Sequence, residues 1–256
     1  MIMKNKLIFA ILSAAALLCA SCRREQSPAF SFENYEQEFD SKQPFSVRMS
    51  YIRMVNADKS PILKAIEESN KREFFDVTGD LPRTMKKTFD MAAARFREAN
   101  NCDDDRWSQG DYQLIVTSDV DVYDRTLSYV IEGYQYTGGA HGMSWTKALN
   151  YSLDTGERLS LSDFFTEEQA AKLPAALVKL LCMQQGLGDT NTERLAELGY
   201  YPDDIKPTEN FTASATGITF LYDPYQIGVY AVGKTAIEFP YAMMDDKIDE
   251  SKGSVL

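Results

Sequence analysis

The stretch from residue 134 to residue 165 reads YQYTGGAHGMSWTKALNYSLDTGERLSLSDFF. One alternating segment enters residues 138–142 (GGAHG) and a second leaves them, and this period of two predicts two strands joined through the glycines. Residues 154–156 (DTG) supply the glycine of a tight turn after the second strand. His141 is the only histidine of the chain. The glycines around it indicate either a reactive centre or a place where two backbone segments pass closely.

Outward from this stretch, the periodicity predicts blocks of strands and helices. Residues 45–51 alternate as a half-buried strand, with Phe45, Val47, Met49 and Tyr51 on one face. The other predicted elements are helices at 61–74 and 82–99, strands at 112–122, 127–136 and 145–153, a short helix at 192–198, strands at 211–213, 218–222 and 235–239, and a closing helix at 241–248. Short connections predict that the three central strands form an antiparallel meander.

A helical region interrupted by a proline lies between the central and the last strands. Thr166 and Gln169 have the spacing of a capping box, which predicts a helix start. Pro174 would cost about 3 kcal/mol inside one continuous helix, because it removes a backbone hydrogen bond. We therefore expect two helices here, the second beginning at Pro174 and ending near Gly186.

This order of elements predicts an α+β fold, with antiparallel sheets and with helices packed on one face. The length allows one large domain or two small ones. We expect two related small modules that meet near residues 140–155, one over residues 45–145 and the other over residues 146–256.

The first residues have the pattern of an export signal. Lys4 and Lys6 precede an apolar run at residues 7–18, which is too short to cross a bilayer as a permanent helix. Small residues before Cys22 predict cleavage there, so we expect residues 1–21 to be a signal peptide. Lipid on Cys22 would then anchor the protein to a membrane of the bacterial cell envelope, facing the periplasm or the surface. Secretion after cleavage elsewhere is the alternative.

The segment after Cys22 is polar. Residues 22–44 contain scattered aromatic side chains among polar ones, and we expect them to form a lipidated tether. No later stretch of the sequence reaches the roughly 18 apolar residues of a membrane helix, so the lipid is the expected anchor.

The chain is acidic, with a net charge of −11. Removal of residues 1–21 would leave 25 basic and 38 acidic residues, a net charge of −13. Nucleic acid is therefore an unsuitable partner, since phosphate binding needs a basic face. A basic protein is the partner that such a field attracts. The alternative is that the acidity only keeps the protein soluble.

Candidate metal ligands are few. A zinc site uses three or four ligands, and the sequence offers His141 with Cys102 and Cys182 at remote positions. Whether the two cysteines pair is left open by their spacing. Three aspartates at residues 103–105 lack the alternation and the terminal glutamate of a calcium-binding EF-hand loop. We expect no metal and no cofactor.

His141 has two candidate roles. A hydrolase centred on it would need a nucleophile such as Ser144 and an orienting acid, and no spacing predicts that arrangement. The stronger interpretation is structural, with the ring bonding backbone amides that are left unpaired where Gly138, Gly139 and Gly142 interrupt the strands. We therefore expect a protein without enzymatic activity.

An aromatic loop is the better recognition candidate. The predicted binding residues are Tyr222, Pro224, Tyr225, Ile227 and Tyr230. Tyrosine rings provide rigid, half-polar contact area. The alternative is that these side chains fill the core where the loop folds back.

Several motifs together resemble one protein family. They are YTGGAH at 136–141, NYSLDTG at 150–156, LSLSDFF at 159–165, GITF at 217–220 and DPYQI at 223–227, followed by Tyr230, Ala231 and Gly233. Over residues 45–248 the chain resembles the extracellular region of the RsiV family of lysozyme-sensing anti-sigma factors. The module of that family is similar to the non-catalytic amino-terminal part of the peptidoglycan deacetylase PdaC.

The resemblance implies a PdaC-like module at residues 45–145 and an RsiV-like module at residues 146–256. It also implies lysozyme binding in one branch of the family. We find neither the membrane helix and sigma-binding segment of RsiV sensors nor the deacetylase domain of PdaC. We therefore expect a cell-envelope lipoprotein with a non-catalytic module that binds a macromolecule, with a lysozyme-like basic protein as its ligand. Binding of peptidoglycan glycans is the first alternative, and a hydrolase centred on His141 is the second.

Overall fold

The computed structural model describes residues 27–39, 45–100, 112–188 and 190–243. Outside these ranges lie the predicted signal peptide at 1–21, the lipidation residue Cys22, Cys102 and the acidic residues 103–105. Within them the chain forms two β-sheets and four α-helices, which confirms the predicted α+β fold.

The first sheet has six strands. They are β1 Phe30–Phe39, β2 Phe45–Met54, β3 Tyr112–Tyr123, β4 Thr126–Tyr136, β5 Met143–Ser152 and β6 Arg158–Leu159, in that spatial order. Neighbouring strands are antiparallel except for β2 and β3, which are parallel. The meander of β3, β4 and β5 and the mostly antiparallel pairing are as predicted, and the parallel pair of β2 and β3 is the exception. The physical reason is the long helical crossover between β2 and β3, since parallel neighbours need one.

That crossover consists of α1 Pro61–Phe74 and α2 Met85–Ala99. Ser60 caps α1 by accepting a hydrogen bond from the Ile62 amide, and Pro61 occupies the first helical position. Ile66 and Phe89, one from each helix, are buried in a core that also contains the strand residues of β2 and β4. Each such side chain contributes about 1.5–3 kcal/mol by its burial.

The predicted tether at residues 22–44 is wrong for its middle part, which forms β1. The strand lies at the edge of the sheet and is stabilised by polar side-chain pairs, such as Arg48 with Glu36 at 2.6 Å. Its Tyr35 ring stacks on Phe89 of α2, with 4.9 Å between ring centroids. The inward side of β1 carries the polar residues Ser31, Glu33 and Gln37 around Tyr35, and Phe32 lies on the exposed side, so the segment lacks the apolar alternation that reveals a strand in a sequence.

The second module contains two helices and three strands. They are α3 Glu167–Gln184, α4 Thr192–Glu197, β7 Phe211–Ala213, β8 Gly217–Tyr222 and β9 Thr235–Pro240. The strands form an antiparallel sheet in the order β7-β8-β9, over a separate core that includes Leu177, Cys182, Phe220 and Ile237. Of the predicted closing helix at 241–248, Tyr241–Met243 forms a 3-10 turn, and the rest lies outside the described residues.

α3 is continuous through Pro174, so the predicted break is wrong. Leu173, Leu177 and Leu181 follow one face of the helix and are fully buried in the second core. Their burial contributes about 1.5–3 kcal/mol each, which exceeds the cost of about 3 kcal/mol for an internal proline. Packing of this face therefore overrides the local preference. No helix in the described ranges is long and apolar enough to cross a membrane.

The predicted module boundary between residues 145 and 146 falls inside β5. β5 pairs with β4 along its whole length and β6 pairs with β5, so the first sheet extends beyond this boundary to Leu159. The sequence pattern shows where strands lie, but it does not show to which sheet a strand belongs.

Buried hydrogen bonds join the two modules. The Asn210 side chain accepts from the Ala148 amide at 2.7 Å and donates to the Thr146 carbonyl oxygen at 3.0 Å. Asn150 donates to the carbonyl oxygen of Phe211, the first residue of β7, at 2.7 Å. The second sheet thus packs on the face of the first sheet that the helices leave uncovered.

Pro174→Ala should raise the free energy of unfolding by about 1–3 kcal/mol, because alanine restores the missing backbone hydrogen bond without disturbing the buried leucines. Urea denaturation followed by circular dichroism measures the change. Pro82→Ala is the control, since Pro82 lies outside any helix and its replacement should leave stability equal or slightly lower. A decrease for Pro174→Ala would contradict the explanation given for the continuous helix.

Candidate binding surface

The glycine-rich segment after β4 and the aromatic loop after β8 meet in the structure. The His141 ring stacks on the Tyr230 ring, with 3.8 Å between centroids and 21° between planes. The Tyr230 hydroxyl donates to the Gly142 carbonyl oxygen at 2.8 Å. Two segments that the sequence pattern treats separately therefore form one surface.

Backbone geometry explains the glycines of the first segment. Gly138 and Gly139 have φ angles of +91° and +96°, in the region that side chains disfavour. Gly142 packs against Tyr134 so closely that a β-carbon would lie 2.3 Å from the tyrosine hydroxyl oxygen. The glycines allow the segment to fold back over β4, and this places His141 beside Tyr230.

His141 itself is exposed, and its ring contacts a carbonyl oxygen and another ring. Nδ1–H donates to the Gly142 carbonyl oxygen at 3.0 Å. The expectation that the ring bonds unpaired amides is wrong, because the nearby groups are a carbonyl and the Tyr230 ring. In the described ranges no carboxylate or hydroxyl is hydrogen-bonded to this ring, and no three His, Cys, Asp or Glu residues are grouped to hold a metal.

Tyr225 lies at the tip of a tight turn and has a backbone conformation that is rare for tyrosine. The Gln226 amide donates to the Asp223 carbonyl oxygen at 3.1 Å, and the Gln226 side chain accepts from the Asp223 amide at 2.7 Å. Pro224 and Tyr225 occupy the two central positions, the pattern of a type II turn, in which glycine is the usual third residue. Tyr225 has a φ of +73°, and 52% of its surface is exposed.

The Tyr225 ring continues the stack begun by His141. It lies 5.5 Å from the Tyr230 ring, centroid to centroid, at an angle of 37°. We call His141, Tyr225 and Tyr230 the aromatic surface. Three rings from two loops thus form a continuous, partly exposed ladder.

The remaining predicted binding residues do not belong to this surface. Tyr222 and Ile227 are only 4% and 2% exposed, and Pro224 is partly buried in the turn. The Tyr222 hydroxyl donates to the Lys206 carbonyl oxygen at 2.8 Å, and burial raises the pKa of Tyr222. The prediction that Tyr222 and Ile227 are contact residues is wrong, because both fill the second core where the loop folds back.

Ile227 also holds the loop in place. Its carbonyl oxygen accepts from the Tyr201 amide at 2.8 Å, and Gly228 forms a bridge with Tyr200. The Val229 amide donates to the Gly199 carbonyl oxygen at 2.9 Å. These contacts make the turn at Tyr225 a rigid extension of the second core.

Sequence reasoning missed Tyr201, which the same pairing brings to the loop. Tyr201 is 42% exposed, and the exposed acids Asp203 and Asp204 follow it. Neither acid forms an ion pair within the described ranges. The only sequence signal was the pair of aromatic residues before a proline, which is too common to identify a site.

Two family models match consecutive parts of the chain. Residues 39–144 match the family described as Deacetylase PdaC, and residues 162–242 match the family described as Protein of unknown function (DUF3298). The chain is PdaC-like in its first part and DUF3298-like in its second. The aromatic surface combines a residue of the first part, His141, with two residues of the second.

Among characterised proteins, the chain is similar to the peptidoglycan-N-acetylmuramic acid deacetylase PdaC of Bacillus subtilis (strain 168), with 26% identity over 129 residues. The similarity covers 49% of this chain and 27% of the relative, so the chain spans about a quarter of the length of that relative.

Two solved structures share the fold. A member of the DUF3298 family from Bacteroides fragilis NCTC 9343 has a TM-score of 0.72 and 25% identity, covering 88% of this chain and 97% of that one. A DUF3298 family protein from Pseudomonas aeruginosa PAO1 has a TM-score of 0.61 and 19% identity, covering 85% and 93%. These similarities confirm the two-module α+β architecture.

At position 225 we expect glycine to be more stabilising than alanine. The φ of +73° strains any residue with a β-carbon, so the free energy of unfolding of Tyr225→Gly should exceed that of Tyr225→Ala by about 1 kcal/mol. Thermal or urea denaturation of both variants measures the difference.

Ala175→Gly is the control for this comparison. Ala175 is exposed on α3, where glycine should lower stability by about 1 kcal/mol, the opposite sign. An equal or lower stability of Tyr225→Gly relative to Tyr225→Ala would show that the turn is not strained.

Proposed function

We propose that this chain is a cell-wall related protein of the bacterial envelope, whose non-catalytic module binds a lysozyme-like basic protein through the aromatic surface. The PdaC-like and DUF3298-like matches support the envelope assignment, since the relative from Bacillus subtilis is named for its action on peptidoglycan. The strained, exposed Tyr225 is the observation that carries the binding proposal.

The position of Tyr225 contributes little to the stability of the fold. A non-glycine residue with positive φ costs about 1 kcal/mol or more, and half-exposure of the ring returns only part of its burial energy. Such conformations concentrate at ligand-binding sites because the surrounding structure enforces them for function. A rigid tyrosine next to a second ring supplies contact area with little loss of side-chain entropy on binding.

Charge favours a basic protein as the ligand. The chain carries a net charge of −11, and the exposed Asp203 and Asp204 lie two and three residues after Tyr201, whose amide is bonded to the aromatic loop. An excess of unpaired carboxylates around apolar contact area steers a cationic partner to the site and fixes its orientation.

The aromatic surface also favours a second candidate ligand, a glycan strand of peptidoglycan. The Tyr225 ring, which is half exposed and tilted against Tyr230, offers a flat apolar face that suits the apolar face of a sugar ring. Binding of this kind depends little on salt, because it uses no net charge.

Binding of purified lysozyme to the immobilised chain tests the proposal. At about 50 mM salt we expect saturable binding, and at about 300 mM salt weaker binding, because the attraction of opposite charges is screened. Tyr225→Ala should weaken binding about tenfold, as loss of a central aromatic contact does. Phe32→Ala is the matched control, since Phe32 is an aromatic residue with 68% exposure on the distant strand β1 and should leave binding unchanged.

The outcomes separate the two candidates. No lysozyme binding at either salt concentration overturns the basic-protein version. Salt-insensitive co-sedimentation with purified cell wall that is lost in Tyr225→Ala then supports the glycan version. If neither ligand binds, or if Phe32→Ala weakens binding as much as Tyr225→Ala, the aromatic surface is not the contact site.

The anchoring part of the proposal depends on Cys22. The pattern of residues 1–21 supports export, and a lipid on Cys22 would hold the mature protein at the membrane. In cell fractionation we expect the wild-type protein in the membrane fraction and Cys22→Ala in the soluble or secreted fraction. Cys102→Ala controls for loss of a cysteine, and equal partitioning of wild type and Cys22→Ala would overturn lipid anchoring.

A further inference from the structure

A cleft of about 430 Å³ lies where the second sheet packs against the first. Asp119 and Asp121 of β3 and Glu132 of β4 line one side, and Thr212 of β7 and Thr235 of β9 line the other. This volume falls within the range of small-ligand sites, about 300–1,000 Å³. The aromatic surface does not contribute to its lining, so the cleft is a separate site.

Two carboxylates of the cleft, both on exposed residues, have no cationic partner in the described ranges. Asp119 and Asp121 are two residues apart on one strand and so share a face. One oxygen of each accepts the amide of the following residue, at 2.9 Å and 2.8 Å, and neither carboxylate forms an ion pair in the described ranges. Glu132, in contrast, is paired with Lys234 at 2.8 Å. The cleft therefore keeps a negative charge that a cation would neutralise.

The other lining groups are hydroxyls and aliphatic side chains. Hydroxyls come from Thr146, Thr212 and Thr235, and aliphatic surface from Val130 and Ala213. The Thr235 hydroxyl is shielded from solvent and has no hydrogen-bond partner in the described part of the chain. Since a buried hydroxyl without a partner costs about 1–3 kcal/mol, a ligand that bonds to it gains affinity.

From this lining we infer that the cleft binds a saccharide unit that carries a free amino group. The ammonium pairs with Asp119 and Asp121, the sugar hydroxyls bond to the threonine hydroxyls, and the ring packs on the aliphatic side chains. A lysine side chain would pair with the two carboxylates but would leave the threonine hydroxyls without partners. A neutral sugar would bond to the threonine hydroxyls but would leave the two carboxylates unpaired. The inference does not depend on the partner of the aromatic surface.

Calorimetric titration of the full chain with a glucosamine trisaccharide tests the inference at a pH where the amines are charged. We expect it to bind about threefold to fivefold more tightly than the N-acetylated trisaccharide, because solvent weakens the attraction between an ammonium and the exposed carboxylates of Asp119 and Asp121. In Asp119→Asn/Asp121→Asn this preference should fall to near unity. Asp80→Asn/Asp124→Asn removes the same charge from exposed acids outside the cleft and should keep the preference.

Three results would overturn the inference. One is equal affinity for the two trisaccharides, and another is an undiminished preference in Asp119→Asn/Asp121→Asn. The third is binding of trilysine as tight as that of the glucosamine trisaccharide, which would make the site one for basic peptides. No lysozyme or cell wall is present in this titration, so its failure is distinct from failure of the aromatic surface as a contact site.

Discussion

The outer edge of β5 is the constraint on which the two-module structure depends. β6 is only two residues long, so most of that edge needs other partners for its backbone groups. Asn210 supplies two of them, because its side chain accepts from the Ala148 amide and donates to the Thr146 carbonyl oxygen as a neighbouring strand would. The same amide donates to the Leu221 carbonyl oxygen of β8 at 3.3 Å. One side chain thus bonds two backbone groups at the edge of the first sheet and ties the second sheet to it.

Both surfaces described above follow from this joint. With β8 held at Leu221, the loop that follows it reaches the segment after β4, where Tyr230 bonds to Gly142. Lys234, which precedes β9, pairs with Glu132 of β4 at the cleft. The two modules are therefore joined rather than independent, since the aromatic surface and the cleft each contain residues from both modules.

Sequence periodicity predicted the elements that contact a core on one whole face. It found β2 through Phe45 to Tyr51, where burial alternates. It also found the meander of β3 to β5 from the alternation of residue types, although four consecutive residues are buried in β4 and in β5. It failed for β1, which is held by backbone pairing with β2 and by the stack of Tyr35 on Phe89, and for the helix break at Pro174, where burial of leucines outweighs a local cost. Strand membership of β5 and the contact of His141 with Tyr230 depend on residues far apart in the chain, which no local pattern encodes.

The aromatic loop shows why both interpretations of its sequence were needed. Tyr222 and Ile227 are buried and hold the two ends of the turn, so Tyr225 between them has little freedom to relax its backbone. Without those anchors, a tyrosine with positive φ would return to an ordinary conformation, because nothing would oppose the strain. The strained conformation of the exposed Tyr225 therefore depends on the burial of Tyr222 and Ile227. Loss of Ile227 should release Tyr225 and weaken contact at the aromatic surface even though Ile227 itself is buried away from any ligand.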